Sequence, residues 1–148
     1  MVSAATMPPM QRLAALLVAC AGLAPLVVAT TLVPAAAGMG THRQLGLPSC
    51  TWPMFFGIPC FTCGMTTSFA HAVRGEWLAA MWAQPGGFLL ALACALVAVV
   101  AGWCAILGQP VHRLFRPLAR GRTAIVAGVV LAAAWGWKIL VARGGVAS

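Results

Sequence analysis

The chain has 148 residues, of which 62% are hydrophobic and only 7% charged. So few charges cannot clothe a globule in polar side chains, which excludes an ordinary water-soluble domain and makes lipid the solvent for much of the surface. The net charge of +8, nine Lys and Arg against one acid, would suit a nucleic-acid binder. However, the basic residues flank apolar runs and no stacking-aromatic motif accompanies them, so the charge belongs to membrane topology.

Met1 to Arg12 contains Pro8 and Pro9 and little periodicity, and is expected to be a cytoplasmic tail (1–12) ahead of a single membrane domain (13–148). From Leu13 to Val33 no charge occurs. This length matches the roughly 20 residues a helix needs to cross a bilayer. Pro25 is expected to kink this first span. Ala35, Ala36 and Ala37 mimic a signal-peptidase site, but the apolar run exceeds a signal-peptide core of about 7–15 residues, so an uncleaved anchor is expected.

Residues 38–85 are expected outside the bilayer core, as a Gly/Pro-rich loop followed by a short interfacial helix. The loop runs from Gly38 to Pro59, with His42 near its start and Trp52, Phe55 and Phe56 placed to reach the headgroup layer. Cys50 lies within it. Cys60 and Cys63 follow with two residues between them, a spacing that lets both sulfurs meet one metal ion or each other. Gly64 permits a sharp turn, and the hydroxyls of Thr66, Thr67 and Ser68 can cap a helix start.

Met65 to Ala83 is nearly long enough to span, but Arg74 and Glu76 at its centre would be costly in hydrocarbon. A surface helix is expected, with Phe69, Val73, Trp77, Ala80 and Met81 on its apolar side. Gly75 can divide it, which would put Glu76 at the positive end of a second helix.

Gln84 to Gly87 reads as a hinge before a second span at about 88–107. Gly87, Ala91 and Ala95 give it a small-residue stripe. Residues 108–122 carry His112, Arg113, Arg116, Arg120 and Arg122, the composition of a cytoplasmic loop. A third span at about 123–141 has a stripe of Gly128, Ala132 and Gly136, with Lys138 expected to snorkel outward. The fold class is thus an all-α integral membrane protein with three transmembrane helices plus the interfacial segment. The N-terminus is expected inside and the cysteine loop outside, with the bilayer as partner and the stripes as faces for a membrane-protein partner or a second copy.

Cys20, Cys94 and Cys104 lie in apolar runs and are expected to pack as small hydrophobes. The remaining three admit several chemistries. A disulfide would suit an oxidising compartment. A metal site would use Cys50, Cys60 and Cys63 with His71 or His42 as fourth ligand; this suits zinc, or copper(I) given Met54 and Met65 nearby. A redox dithiol of Cys60 and Cys63 at a helix start would pass electrons to a quinone or a partner protein. The leading expectation is a non-catalytic scaffold or accessory subunit with a cysteine clasp, and the alternative a membrane thiol/disulfide oxidoreductase.

The run G-I-P-C-F-T-C-G-M-T-T-S-F-A, then R-G-E-W-L-A-A and Q-P-G-G-F, resembles a small bacterial membrane-protein family known as domain of unknown function two-seven-five-two. Its pattern is Cys-Pro-x-Cys-Gly-x-Thr-Arg, a short helix, a Gly with a polar residue, and a Pro before a span. The resemblance falls on Cys60, Cys63, Gly64, Thr66, Gly75 and Pro85. Phe61 stands where the pattern has Pro, and Thr67 where it often has Arg. The resemblance implies a bacterial membrane protein and brings no activity; the expected location is the inner membrane.

Overall fold

A computed structural model of the chain describes residues 8–109 and 121–143. Most of the expected tail (1–7) and most of the basic loop, with His112, Arg113, Arg116 and Arg120, lie outside the described residues. All regular structure among those described is helical. It comprises α1 (Pro9–Thr31), a 3-10 turn (Thr41–Leu45), α2 (Trp52–Phe56), α3 (Met65–Ala72), α4 (Trp77–Ala83), α5 (Pro85–Leu107) and α6 (Gly121–Arg143). The helices α1, α5 and α6 are each long and apolar enough to cross a membrane.

The spans keep most of their large side chains outward, including Leu96, Val99, Ile125 and Val129. In water such exposure would be ruinous, and in lipid it costs nothing. What α1 and α5 turn inward is small. Buried Ala15, Gly22 and Ala29 recur every seven residues along α1 and meet a matching file of Ala91, Ala98 and Ala105 on α5. With no hydrophobic drive between helices in lipid, close backbone approach is what makes this contact favourable. A Cβ added at Gly22 would sit 2.9 Å from the Cys94 carbonyl oxygen and 3.2 Å from the Ala98 nitrogen. Gly22→Ala is therefore expected to lower stability by about 1–3 kcal/mol. Gly102→Ala, which meets nothing within 4 Å, should be neutral or mildly stabilising. Thermal unfolding in one detergent compares the two.

Two arginines tie the ends of this pair. Arg12, at the start of α1, donates to the Ala105 and Ile106 carbonyls at the end of α5 (3.2 and 3.1 Å). Arg74 reaches from the end of α3 to Ala29 and Thr30 at the end of α1 (3.5 and 3.4 Å). Each cation thus answers unpaired carbonyls and the negative end of a helix dipole. The two helices run antiparallel, and the cysteine loop sits at the end where α1 finishes and α5 begins.

The surface segment is divided at Gly75 (φ +77°), as that glycine allowed, into two helices folded back on each other. Because the halves do not share an axis, the expected apolar side does not hold. Phe69 and Ala80 are buried, but Trp77 and Met81 are exposed and Thr67 is fully buried. The hydroxyls expected as helix caps bond elsewhere. Thr67 pairs with Thr41 (2.8 Å), while Ser68 donates to the Ala80 and Gln84 carbonyls (2.8 and 3.0 Å). Buried hydroxyls need partners, and here the partners hold the hairpin of α3 and α4 against the loop and α5. Gly87 allows that approach, since a Cβ there would lie 3.0 Å from Ser68 Cβ.

Three further residues bear on the expected elements. The loop after α1 is ordered by Gln44, whose side chain takes the N–H of Val33 (2.9 Å) and donates to its carbonyl (2.6 Å). Pro25 lies inside α1, which continues past it as one element. Lys138 does not snorkel; only 4% exposed, it donates inward to the Ala83 and Gly38 carbonyls (2.7 and 3.4 Å). The stripe of Gly128, Ala132 and Gly136 faces away from the rest of the chain: a Cβ at either glycine meets nothing, and Ala132 is exposed.

Candidate cysteine site

The turn Cys60–Gly64 is built from two overlapping backbone bonds, Cys63 N–H to the Cys60 carbonyl (3.0 Å) and Met65 N–H to the Thr62 carbonyl (3.1 Å). Gly64 then adopts φ +88°, which lets the chain enter α3. The turn is anchored without help from sulfur. Trp135 on α6 donates its indole N–H to the Pro59 carbonyl (3.1 Å), and buried Gln84, at the head of α5, donates to the Phe61 carbonyl (3.2 Å).

On this anchored turn the Cys60 and Cys63 sulfurs are 2.8 Å apart. Cys50 arrives from the other end of the loop, and the three Sγ atoms all lie within 4.8 Å of one another. Cys63 is buried and the other two are half-buried. The asymmetry divides their acidity. Burial pushes the Cys60 thiol up, but hydrogen bonds from Cys63, Thr62 and Cys50 favour its thiolate more, and it falls to about 7. Burial likewise raises Cys63, and here the adjoining Cys60 reinforces it, so that Cys63 is pushed up to about 12. One thiol is thus ionised near neutrality while its neighbour keeps the proton.

His71 does not join the cluster. Its Nδ1 lies 2.5 Å from a Glu76 carboxylate oxygen, because the reversal at Gly75 returns Glu76 over the end of α3. Glu76 starts α4 as expected but makes no cap with its side chain. His42 is also elsewhere, with Nε2 3.2 Å from the Pro48 carbonyl oxygen. Met65 packs against the core of Ala29, Phe69 and Ala91, and the Met54 side chain lies outside the described residues. Of the residues singled out as metal ligands, the structure therefore brings together the three cysteines alone. Of the residues that position the turn and its surroundings, the sequence reading does not single out Trp135, and it takes Gln84 only as part of a hinge and Lys138 only as a snorkelling side chain. A Trp and a Lys three residues apart near the end of an otherwise apolar span were the available signal.

Residues 50–98 match the model of a protein family of unknown function (DUF2752). The matched region begins at Cys50 and ends inside α5, so it contains all three cysteines, the α3–α4 hairpin and most of the span that supports them. No curated protein and no solved structure matches the chain. The DUF2752 region therefore marks where the shared feature lies and supplies no reaction for it.

Proposed function

We propose that this multi-pass membrane protein is a thiol–disulfide exchange protein of the bacterial inner membrane, with Cys60 as the attacking thiol and Cys63 as the resolving one. The observation that carries the reading is an anchored Cys60–Cys63 turn whose sulfurs touch while differing in burial. A staple has no need of that arrangement, since Trp135 and Gln84 already fix the turn. A bond across two residues also closes the smallest of loops, where cross-linking constrains the unfolded chain least.

In the exchange, the Cys60 thiolate attacks a disulfide of a partner protein, forming a mixed disulfide and releasing one partner thiolate. Cys63 then gives up its proton and attacks the Cys60 sulfur. The second partner sulfur leaves, the partner gains two electrons as a dithiol, and the Cys60–Cys63 disulfide forms; the reverse oxidises a partner dithiol. Cys50, with its sulfur within 4.8 Å of both, is positioned to exchange with that bond. Orientation with the N-terminus inside would put the site in an oxidising space; it is supported by Arg12, bonded to the end of α5, and by the arginine-rich composition of residues 108–122.

A metal clasp uses the same three sulfurs. Two thiolates on tetrahedral zinc at about 2.3 Å would stand roughly 3.7 Å apart. The separation of 2.8 Å lies between that spacing and the roughly 2.05 Å of a sulfur–sulfur bond.

Equilibration in glutathione buffers, read by mass-tagging each cysteine, tests this. A Cys60–Cys63 midpoint between about −270 and −180 mV is expected, in the range of exchanging dithiols. A midpoint below about −300 mV would mean a structural staple, in keeping with a scaffold or accessory subunit. Thiols that react only after chelation, with stoichiometric metal released, would mean the clasp. Labelling intact cells with a membrane-impermeant reagent should reach these cysteines only if they face outward.

A further inference from the structure

Lys138 poses a problem of charge. It is 4% exposed, near the cysteine end of a membrane-spanning helix, where an ammonium without a counter-ion is strongly disfavoured. The whole chain has one acidic side chain, Glu76, and its carboxylate is taken by His71. The Ala83 and Gly38 carbonyls accept two of the lysine's N–H bonds, but dipoles solvate a charge without neutralising it. Among the described residues no acceptor is found for the third.

A cavity of about 460 Å³ opens at this ammonium, between the loop after α1, the α3–α4 hairpin and α6, with Gly38, His71, Ala79 and Lys138 in its wall. Trp82 belongs both to this cavity and to a second, of about 510 Å³, bordered by Leu78, Met81, Leu89, Val130 and Trp137. The second chamber is almost wholly apolar and lies along the faces of α5 and α6 that border the bilayer. Around Trp82 the cleft thus pairs a cavity that holds a desolvated cation with one suited to hydrocarbon.

We propose that this cleft binds an acidic phospholipid of the surrounding bilayer, its phosphate accepting a hydrogen bond from Lys138 Nζ and an acyl chain lying beside Trp82 and Trp137. The lipid supplies a phosphate charge at an ammonium beside which the chain places no carboxylate and, among the described residues, only the thiols of the cysteine turn. It also bridges α4 to α6, which is otherwise the least tied of the three spans. This inference does not depend on the thiol chemistry.

Protein in nanodiscs of phosphatidylglycerol and phosphatidylcholine, followed by native mass spectrometry, tests it. The wild-type protein should retain phosphatidylglycerol about tenfold over phosphatidylcholine, because both phosphates can accept the bond but the choline cation of the second offsets the charge that the ammonium attracts. Lys138→Gln should bring that ratio near one. If Lys138→Gln fails to fold, Ala79→Leu, which fills the cavity and leaves the lysine in place, should show the same loss of retained lipid. Equal retention of both lipids by the wild type, an unchanged preference in both variants, or a neutral isoprenoid found in stoichiometric amount would overturn the proposal.

Discussion

Challenged with glutathione disulfide at pH 7, the Cys63→Ser variant in a Cys50→Ser background is expected to accumulate one stoichiometric glutathione adduct, on Cys60. The reason lies in the division of labour at the turn. Cys60, near 7, is about half thiolate at that pH, whereas Cys63, near 12, holds almost none. Attack therefore comes from Cys60, and Cys63 acts only once a mixed disulfide sits 2.8 Å away. Without Cys63 there is nothing to resolve the adduct. Cys50 must be removed too, since its sulfur is close enough to substitute. Cys60→Ser in the same background should form adduct more slowly, because burial, the largest cause of the raised Cys63 thiol, is still present once Cys60 is gone. Alkylation of reduced wild-type protein should report the same order, with the Cys60 rate rising tenfold per pH unit below 7 and levelling above it. Equal labelling of both cysteines at pH 7, resolved by peptide mass spectrometry, would remove the basis for the assignment.

Gly64→Ala is expected to cost more than about 3 kcal/mol and to leave little folded protein. Two penalties coincide. At φ +88° any side chain brings a left-handed strain of about 1–2 kcal/mol. In addition, the new Cβ would stand 2.8 Å from the carbonyl oxygens of both Ala83 and Gly38 and 3.2 Å from Lys138 Nζ. None of these can step aside cheaply, because the same two carbonyls are the acceptors for the buried lysine. A substitution at Gly64 therefore disturbs the cysteine turn, the end of α4, the loop after α1 and α6 together. Gly57→Ala is the control. It shares a positive φ of +64° but has open space around it, so it should lose only the backbone term, about 1 kcal/mol. Unfolding midpoints of both variants in one detergent decide the matter. Similar midpoints would show that the turn is not pinned as described.

The sequence by itself determined the solvent, the three spans and the position of the reactive stretch. An uncharged run of membrane length, a Gly/Pro-rich loop and a Cys-x-x-Cys before a glycine are properties of single segments, and hydropathy and turn chemistry act locally. The division near Gly75 was legible for the same reason. Only the tertiary structure decided which side chains meet. It brought Cys50 to Cys60 and Cys63 but gave His71 to Glu76, because a reversal at one glycine sets where each helix end points. It turned Thr67 and Ser68 from caps into buried cross-links, and drew Lys138 inward, because the carbonyls of Gly38 and Ala83 come from loops far apart in the chain. Nor did any local signal mark the seven-residue files of Ala and Gly joining α1 to α5. In lipid, helix contacts are chosen by how closely two backbones fit, which neither helix specifies alone.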